Sequence, residues 1–367
     1  MKYKALILFL ISSILVSTQL SGCLDALDPF LNTTTVTYEA RATSVNYDIV
    51  YGYMVNASGT GSSTVLCIQD IPELLQGSVT KINKTPLGSQ LKIIATNEMT
   101  KWNDTNQDDS SVSYKVSAHI EASDFFIRDI SGSTALDLEE IKNIHPDLIE
   151  TYCGIQGNNE TIYIDPFDLE IKQIADSIKQ NSDSENSLLL AKALFIWLKA
   201  NTNYKIHPLQ KEAQPAIQTL NQKQGDCDDL SFLYISLCRS LDIPARFIRG
   251  YLLDNQGELV TAIDHMWVEV FVGGILGNDG WIPIECAGTG DSEGEVHQNF
   301  GMEDAFHLRL FTGDGTNESI AISSSHISVQ YEQGVTIDIT GFCSINNFST
   351  QDPQKLCITE GTERSYC

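Results

Sequence analysis

A cysteine in the second half of the chain has the surroundings of a nucleophile. Cys227 lies within Gly225-Asp226-Cys227-Asp228-Asp229-Leu230-Ser231, at the expected start of an amphipathic helix. Helix N-termini carry unpaired N–H groups and a positive dipole end, which favour a thiolate and can hold an oxyanion. The neighbouring aspartates would oppose a thiolate if they lay close. We expect Asp228 and Asp229 to be first-turn acids with their side chains in solvent.

His265 and Glu285 are the residue types that a thiol nucleophile needs as partners. His265 leads the apolar stretch Met266–Val272, on the same strand face as Trp267, whose indole can hold the imidazole rigid and partly dry. Glu285 ends the stretch Gly280–Glu285, which we expect to return as an adjacent strand. A carboxylate there can orient the second imidazole nitrogen and stabilise the imidazolium. The sequence therefore predicts a Cys227–His265–Glu285 triad.

The elements around these residues follow from the spacing of apolar side chains. Helical periodicity begins after Asp168, resumes after the break at 181–187 and starts again at Cys227, where Cys238 falls on the buried face. Pro244 ends the third helix, because proline cannot continue it. Strands are predicted at Ala245–Leu253, Met266–Val272 and Trp281–Glu285.

Several blocks in this order resemble the transglutaminase-like (papain-like) superfamily. They are Asp242-Ile243-Pro244-Ala245-Arg246, Gly250-Tyr251, His265-Met266-Trp267-Val268-Glu269-Val270 and Gly280-Trp281-Ile282-Pro283-Ile284-Glu285, and they follow the helix-capping Cys227. The resemblance covers residues 165–310. It implies an α+β fold in which helices pack on an antiparallel sheet, and it implies a Cys-His-acid triad that acts on amide bonds.

Two positions depart from the pattern of the family. Glu285 stands where the family usually has aspartate, so the same carboxylate must be reached with one more methylene. Asp242 stands where the family usually has glycine, on a turn where we expect only a local effect.

The chain divides into five segments. Residues 1–22 are read as a signal peptide, 23–35 as a lipidated tether, 36–127 as a β-sandwich-like domain, 128–310 as the catalytic core with its linker, and 311–367 as a β-rich, cysteine-containing extension. Short strands separated by Gly/Asn/Ser/Asp turns favour the sandwich. They include Val45–Tyr51, Gln90–Ala95 and Ser113–Ala118.

The N-terminus predicts export and a lipid anchor. Lys2 and Lys4 precede the apolar run Ala5–Val16, which is too short for a membrane-spanning helix of roughly 20 residues. The run is followed by Leu20-Ser21-Gly22-Cys23, which resembles a lipobox. Lipidation of Cys23 with two or more chains would hold the protein stably on the outer face of the cytoplasmic membrane.

The charge of the chain excludes one class of partner. The full chain carries a formal charge of −25, and removal of the signal leaves 21 cationic against 48 acidic side chains, a charge of −27. Nucleic acid would be repelled. We expect the partners to be the membrane, through the lipid anchor, and a protein or peptide substrate at the cell surface.

The remaining cysteines and histidines suggest structural roles. Nine cysteines fit an oxidising compartment, and a local bridge such as Cys343–Cys357 is expected near the C-terminus. No CxxC pair or zinc-type histidine cluster occurs, so we expect no metal and no other cofactor. His207 and His307 flank the core and are interpreted as structural histidines.

Three functional interpretations follow from these residues. The first is a protease, amidase or transglutaminase that works through a thioester, with hydrolysis favoured slightly because nothing in the sequence marks an amine site. The second is a binding or adhesion module that keeps the fold without turnover. The third is a calcium site at Asp226, Asp228 and Asp229, although these acids lack EF-hand spacing.

The lipid anchor gives the first testable prediction. Cys23→Ser removes the only thiol that the lipobox offers, so the protein should leave the membrane fraction and appear in the aqueous phase of a detergent partition. Cys343→Ser, a substitution of the same type outside the signal, serves as the control. Retention of the Cys23→Ser protein in membranes would contradict the lipoprotein interpretation.

Overall fold

The computed structural model describes residues 35–157, 161–206, 213–257, 259–288, 293–313, 319–320, 327–351 and 353–367. Residues Thr35–Cys367 form one compact unit. The predicted signal peptide, Cys23 and His207 lie outside the described residues. Among the described helices, none combines the length and apolar character that crossing a membrane requires.

The first part of the chain is made of strands. In chain order they are β1 Thr35–Arg41, β2 Ser44–Ser58, β3 Ser62–Asp70, β4 Gly77–Thr85, β5 Gln90–Ile94, β6 Asn97–Gln107, β7 Ser110–Ser123 and β8 Phe125–Phe126. Inward and outward residues alternate along β2 and β7, as expected for strands with one face on a core. The three strand segments predicted from turn spacing are confirmed as β2, β5 and β7.

Helices alternate with strands in the middle of the chain. The elements are α1 Leu138–Ile144, α2 Pro146–Tyr152, β9 Gln156–Gly157, β10 Ile162–Ile164, α3 Leu169–Ser182, α4 Ser187–Asn201, β11 Asn203–Tyr204, α5 Ala216–Gln222, β12 Gln224–Gly225, α6 Cys227–Arg239, β13 Ala245–Asn255, β14 Val260–Phe271 and β15 Trp281–Ile284. The last part contains α7 Glu293–Asn299, β16 Met302–Glu303, β17 His307–Thr312, β18 Ile327–Tyr331, β19 Thr336–Thr350, β20 Gln354–Thr359 and β21 Glu363–Tyr366.

Two four-stranded antiparallel sheets form the sandwich, and the C-terminal segment contributes to both. Their strand orders are β19-β2-β7-β4 and β18-β3-β6-β5. The segment predicted as a β-rich extension thus supplies a strand to each sheet. A smaller sheet, β1-β20-β21, joins the N-terminal and C-terminal strands of the described unit.

The core has helices packed on the antiparallel sheet β15-β14-β13-β17. Helices α3, α4 and α6 bury their apolar residues against β13 and β14 in a single cluster. The three predicted helices are α3, α4 and α6, and Cys238 is fully buried as expected. The α+β fold class predicted from the sequence is confirmed.

Local capping interactions fix where the helices begin and end. Asp168 Oδ1 accepts the N–H groups of Glu170 and Ile171 at 2.9 and 3.2 Å, and Asn186 caps α4 in the same way through Leu189. After α6, Asp242 has φ +62°, the left-handed region that glycine adopts at no cost. This explains why the family usually has glycine at this position.

The sandwich and the core sheet share an apolar layer. Leu253, Leu308 and Leu310 from β13 and β17 belong to the same buried cluster as the inward residues of β2 and β7. Tyr51 on β2 meets Tyr251 on β13 edge to face at 5.9 Å between ring centroids. These contacts therefore fix the distance between the sandwich and the core sheet. They lie next to His265 on β14, which pairs with Gly250 on β13.

The terminal cysteines pair differently from the prediction. The bridge joins Cys357 to Cys367, whereas Cys343 is exposed and unpaired, so the predicted Cys343–Cys357 bridge is wrong. Cys343 lies on β19 in the sandwich, and β20 pairs instead with β21, in the register Cys357↔Ser365. The hairpin of β20 and β21 therefore brings Cys367 close to Cys357.

The bridge gives a prediction about stability. Cys367→Ser should lower the free energy of unfolding by about 2–3 kcal/mol, because the bridge closes a short loop in the unfolded chain. Denaturant unfolding under non-reducing conditions measures this change. Cys343→Ser, at an unpaired exposed thiol, should change the value by less than about 0.5 kcal/mol. Equal effects of the two substitutions would show that the bridge does not stabilise the fold.

Candidate active site

Cys227 is held at the first position of α6 by interactions of the residues around it. The side chain of Asp229 accepts the backbone N–H of Asp226 at 3.2 Å, and it accepts both the backbone N–H and the side-chain amide of Gln214 at 2.6 Å. Gly225 is needed because a Cβ there would meet the Asp229 side chain. The helix start is thus tied to the segment that precedes α5.

The expectation that Asp228 and Asp229 point into solvent is wrong. Asp229 is 1% exposed because it is the cap and tether just described. Asp228 is partly buried next to Cys227, where burial, then a hydrogen bond and the charge of Asp226, raise its pKa well above the usual range. Burial therefore favours the neutral form of Asp228, which reduces the negative charge beside the sulfur.

The surroundings of Cys227 oppose ionisation of its thiol. Burial, followed by any negative charge on Asp228, raises the pKa of Cys227 to about 12, while the backbone N–H of Met266 donates toward the sulfur and lowers it. Desolvation therefore opposes the thiolate that the helix N-terminus favours. A thiol in this state can attack only if a base takes its proton during the reaction.

His265 and Glu285 are in direct contact. His265 Nε2 and Glu285 Oε2 are 2.6 Å apart, and Glu285 Oε1 accepts the backbone N–H of Ala287 at 2.6 Å. Burial opposes the Glu285 carboxylate, but His265 and His307 hold its pKa well below the usual range. The extra methylene of glutamate thus reaches the imidazole, and Nδ1 of His265 is the ring atom available for proton exchange with a thiol.

A second histidine, interpreted as structural from the sequence, lies at the same carboxylate. His307 Nε2 is 3.1 Å from Glu285 Oε2, and its Nδ1 is 2.7 Å from Asp304 Oδ1. The rings of His265 and His307 are 5.5 Å apart between centroids. No sequence pattern predicts this contact of His307. The residue lies on β17, which pairs with β13 and not with β15, the strand that precedes Glu285.

A network of buried aromatic and charged side chains holds the imidazole of His265 in place. Its ring stacks on Trp267 at 5.8 Å and 21°, and the indole N–H donates to Glu303 at 2.7 Å. Glu303 accepts from Arg309 at 2.6 Å, and Arg309 lies 2.7 Å from Glu269. The last link is Arg246, which pairs with Glu269 at 2.6 Å and stacks on Trp281 at 4.0 Å. The sequence blocks that resembled the family are therefore neighbours in space.

Cys227 and His265 line the same cleft, which has a volume of about 650 Å³. One wall comes from the core, with Asp228, Gly250 and Asp264 among its residues, and the other comes from β2, β3 and β19 of the sandwich. Gly250 is required here because any Cβ would meet the backbone of Leu308 and the ring of Trp267. Residues of the core and of the sandwich therefore enclose one cavity together with Cys227 and His265.

Two groups of side chains among the described residues have atoms close enough to bind a metal ion. They are His265, Glu285 and His307, and Asp226, Asp228 and Asp229, with their ligand atoms within 4.8 Å of one another. Hydrogen bonds to Glu285 join the two histidines of the first group, and in the second group Asp229 accepts the backbone N–H of Asp226.

Comparison with known proteins gives a family for the part of the chain that contains these residues. Residues 172–286 match the model of the transglutaminase-like superfamily. The chain carries a transglutaminase-like domain. An uncharacterized protein of Mycobacterium leprae is 24% identical over 113 residues, a match that covers 30% of this chain and 39% of that relative. The matched region thus spans well under half of the relative's length.

One solved structure shares the fold at low sequence identity. A candidate cysteine protease of Cytophaga hutchinsonii aligns with a TM-score of 0.50 and 14% identity, over 91% of this chain and all of that one. The periplasmic domain of TgpA from Pseudomonas aeruginosa aligns with a TM-score of 0.33 and 15% identity, over 71% of this chain and 94% of that one. The first alignment extends beyond the transglutaminase-like domain into the sandwich.

The position of Glu285 gives a prediction. Glu285→Asp, although it restores the usual family residue, shortens the side chain so that it no longer reaches His265 and His307 from this backbone. Loss of a charged hydrogen bond costs about 1.5–3 kcal/mol. Labelling of Cys227 by iodoacetamide at neutral pH should therefore slow by about tenfold or more. Glu285→Gln, which keeps the length without the charge, is the companion variant, and faster labelling of Glu285→Asp would contradict the prediction.

Proposed function

We propose that the protein is a cysteine acyl-transfer enzyme that acts on amide bonds through Cys227, His265 and Glu285. The observation that carries the proposal is the 2.6 Å contact of Glu285 with His265, which lines the same cleft as Cys227. Thiol-dependent acyl transfer requires a nucleophile, a base and an orienting acid, and these are the residue types that the three positions supply.

The acylation step follows from the resting thiol. His265 Nδ1 takes the proton of Cys227 as the sulfur attacks the carbonyl carbon, and Glu285 stabilises the imidazolium that forms. The negative oxygen of the tetrahedral intermediate is placed near the first-turn N–H groups of α6. When the C–N bond breaks, the imidazolium returns its proton to the leaving amine, and an acyl-thioester remains on Cys227.

The second step decides the class of enzyme. Attack by water, with His265 again as the base, releases a carboxylic acid and regenerates the thiol, which is hydrolysis. Attack by a primary amine instead forms a new amide, which is transamidation. Hydrolysis is the favoured fate, because water has access to any cleft that opens to solvent. Peptide release and incorporation of a fluorescent primary amine into protein measure the two outcomes separately.

The proposed setting is the outer face of the cytoplasmic membrane. The lipobox-like sequence ending in Cys23 supports a lipid anchor, and the disulfide at the C-terminus is consistent with an oxidising compartment. A tethered enzyme of this kind meets substrates that are proteins or peptides of the cell surface.

A binding module without turnover is the second candidate. The observation in its favour is the raised pKa of Cys227, which leaves a protonated thiol unless His265 acts as a base. The two candidates share the fold and the cleft. They differ in whether His265 accelerates the chemistry of the thiol.

The test is the rate at which iodoacetamide labels Cys227, followed by peptide mass spectrometry. Cys343, which is exposed and unpaired, is the internal reference thiol. For the enzyme, His265→Ala should slow labelling of Cys227 at neutral pH by about 100-fold, the contribution of a positioned base, and leave Cys343 unchanged. Equal labelling of Cys227 in the wild type and in His265→Ala would reject the enzyme and leave the binding module.

A further inference from the structure

We propose that His307 is a positioning residue of this site. It is an imidazolium that fixes the Glu285 carboxylate and extends to lower pH the range in which His265 acts as a base. The inference rests on the proposed function, since it assigns a partner to the acid of the triad. It extends the triad to the chain Asp304–His307–Glu285–His265, whose successive contacts are 2.7, 3.1 and 2.6 Å.

Hydrogen-bond partners determine the protonation state of His307. Both of its ring nitrogens face carboxylate oxygens, Nδ1 toward Asp304 and Nε2 toward Glu285. An ionised carboxylate only accepts hydrogen bonds, so each nitrogen must carry a proton to make its contact. A neutral ring could satisfy only one of the two. Burial works against the charged ring, but Asp304 and Glu285 raise the pKa of His307 well above its usual range.

The shared oxygen gives His307 its effect on His265. Both Nε2 atoms approach Glu285 Oε2, while Oε1 is taken by the Ala287 N–H. Every oxygen of the carboxylate is therefore engaged, and its rotation is restricted. The positive charge of His307 also offsets part of the negative charge that would otherwise favour the protonated form of His265.

The surroundings of His307 keep this arrangement rigid. The ring of Trp267 meets the imidazole of His307 edge to face at 4.9 Å, so one indole contacts both histidines. The charged or titratable groups that face His307 are Asp304, Glu285 and His265, and Arg41 at the end of β1 acts on Asp304. His307 is 7% exposed, so solvent screens these charges poorly.

The experiment is the pH profile of Cys227 labelling in the wild type and in His307→Gln. Glutamine can still donate a hydrogen bond to Glu285 but carries no charge. Removing a cation this close should move the acid limb of the profile to higher pH by about one unit. His119→Gln is the matched control, because His119 also contacts an aspartate, Asp48, at 2.7 Å but lies on β7 outside the cleft. Its profile should coincide with that of the wild type.

A second measurement does not depend on a variant that folds. Nitrogen NMR of the wild type, with His307 assigned by its contact with Trp267, should show both ring nitrogens protonated at pH 8. A neutral His307 at that pH would overturn the inference, as would an unshifted profile in a folded His307→Gln protein. If instead wild-type labelling is already independent of His265, the proposed function itself fails, so the two failures are distinguishable.

Discussion

Negative charge inside the molecule must be balanced, and this constraint organises the core sheet. Glu269, Glu285 and Glu303 are all largely buried, and an unpaired carboxylate in such a place costs several kcal/mol. Each contacts basic side chains: Arg246 and Arg309 pair with Glu269, the same Arg309 pairs with Glu303, and two imidazoles contact Glu285. The strands β13, β14, β15 and β17 must be in register for these pairs to form.

The same balance connects the chemistry with the fold. Trp267 donates to Glu303 and stacks on His265, so the histidine is held by a residue that belongs to the ion-pair network. A change at Arg309 would therefore disturb His265 without touching it. At the start of α6 the opposite situation holds, because burial of Cys227 favours the neutral thiol over the charge that the helix terminus stabilises.

Local patterns in the sequence were sufficient for the helices α3, α4 and α6 and for the core strands β13, β14 and β15. Helical spacing fixed α3, α4 and α6, and the alternation around His265 placed it and Trp267 on one face. The sequence did not predict that β19 completes a sheet of the sandwich. β19 pairs with β2, which is far away in the sequence, and pairing between distant segments leaves no local pattern. The prediction that the Asp229 side chain lies in solvent was wrong for a similar reason, since its partner Gln214 lies in a separate segment before α5.

The late position of β19 has a consequence for the order of assembly. Gly341, Phe342 and Cys343 line the cleft, and they come from a strand near the end of the chain. While the chain is still emerging, β2 and β3 present open edges and the cleft lacks one wall. A shortened product could fold its helices around Cys227 yet would have no complete place for a substrate. The cleft is therefore complete only after β19 has been added.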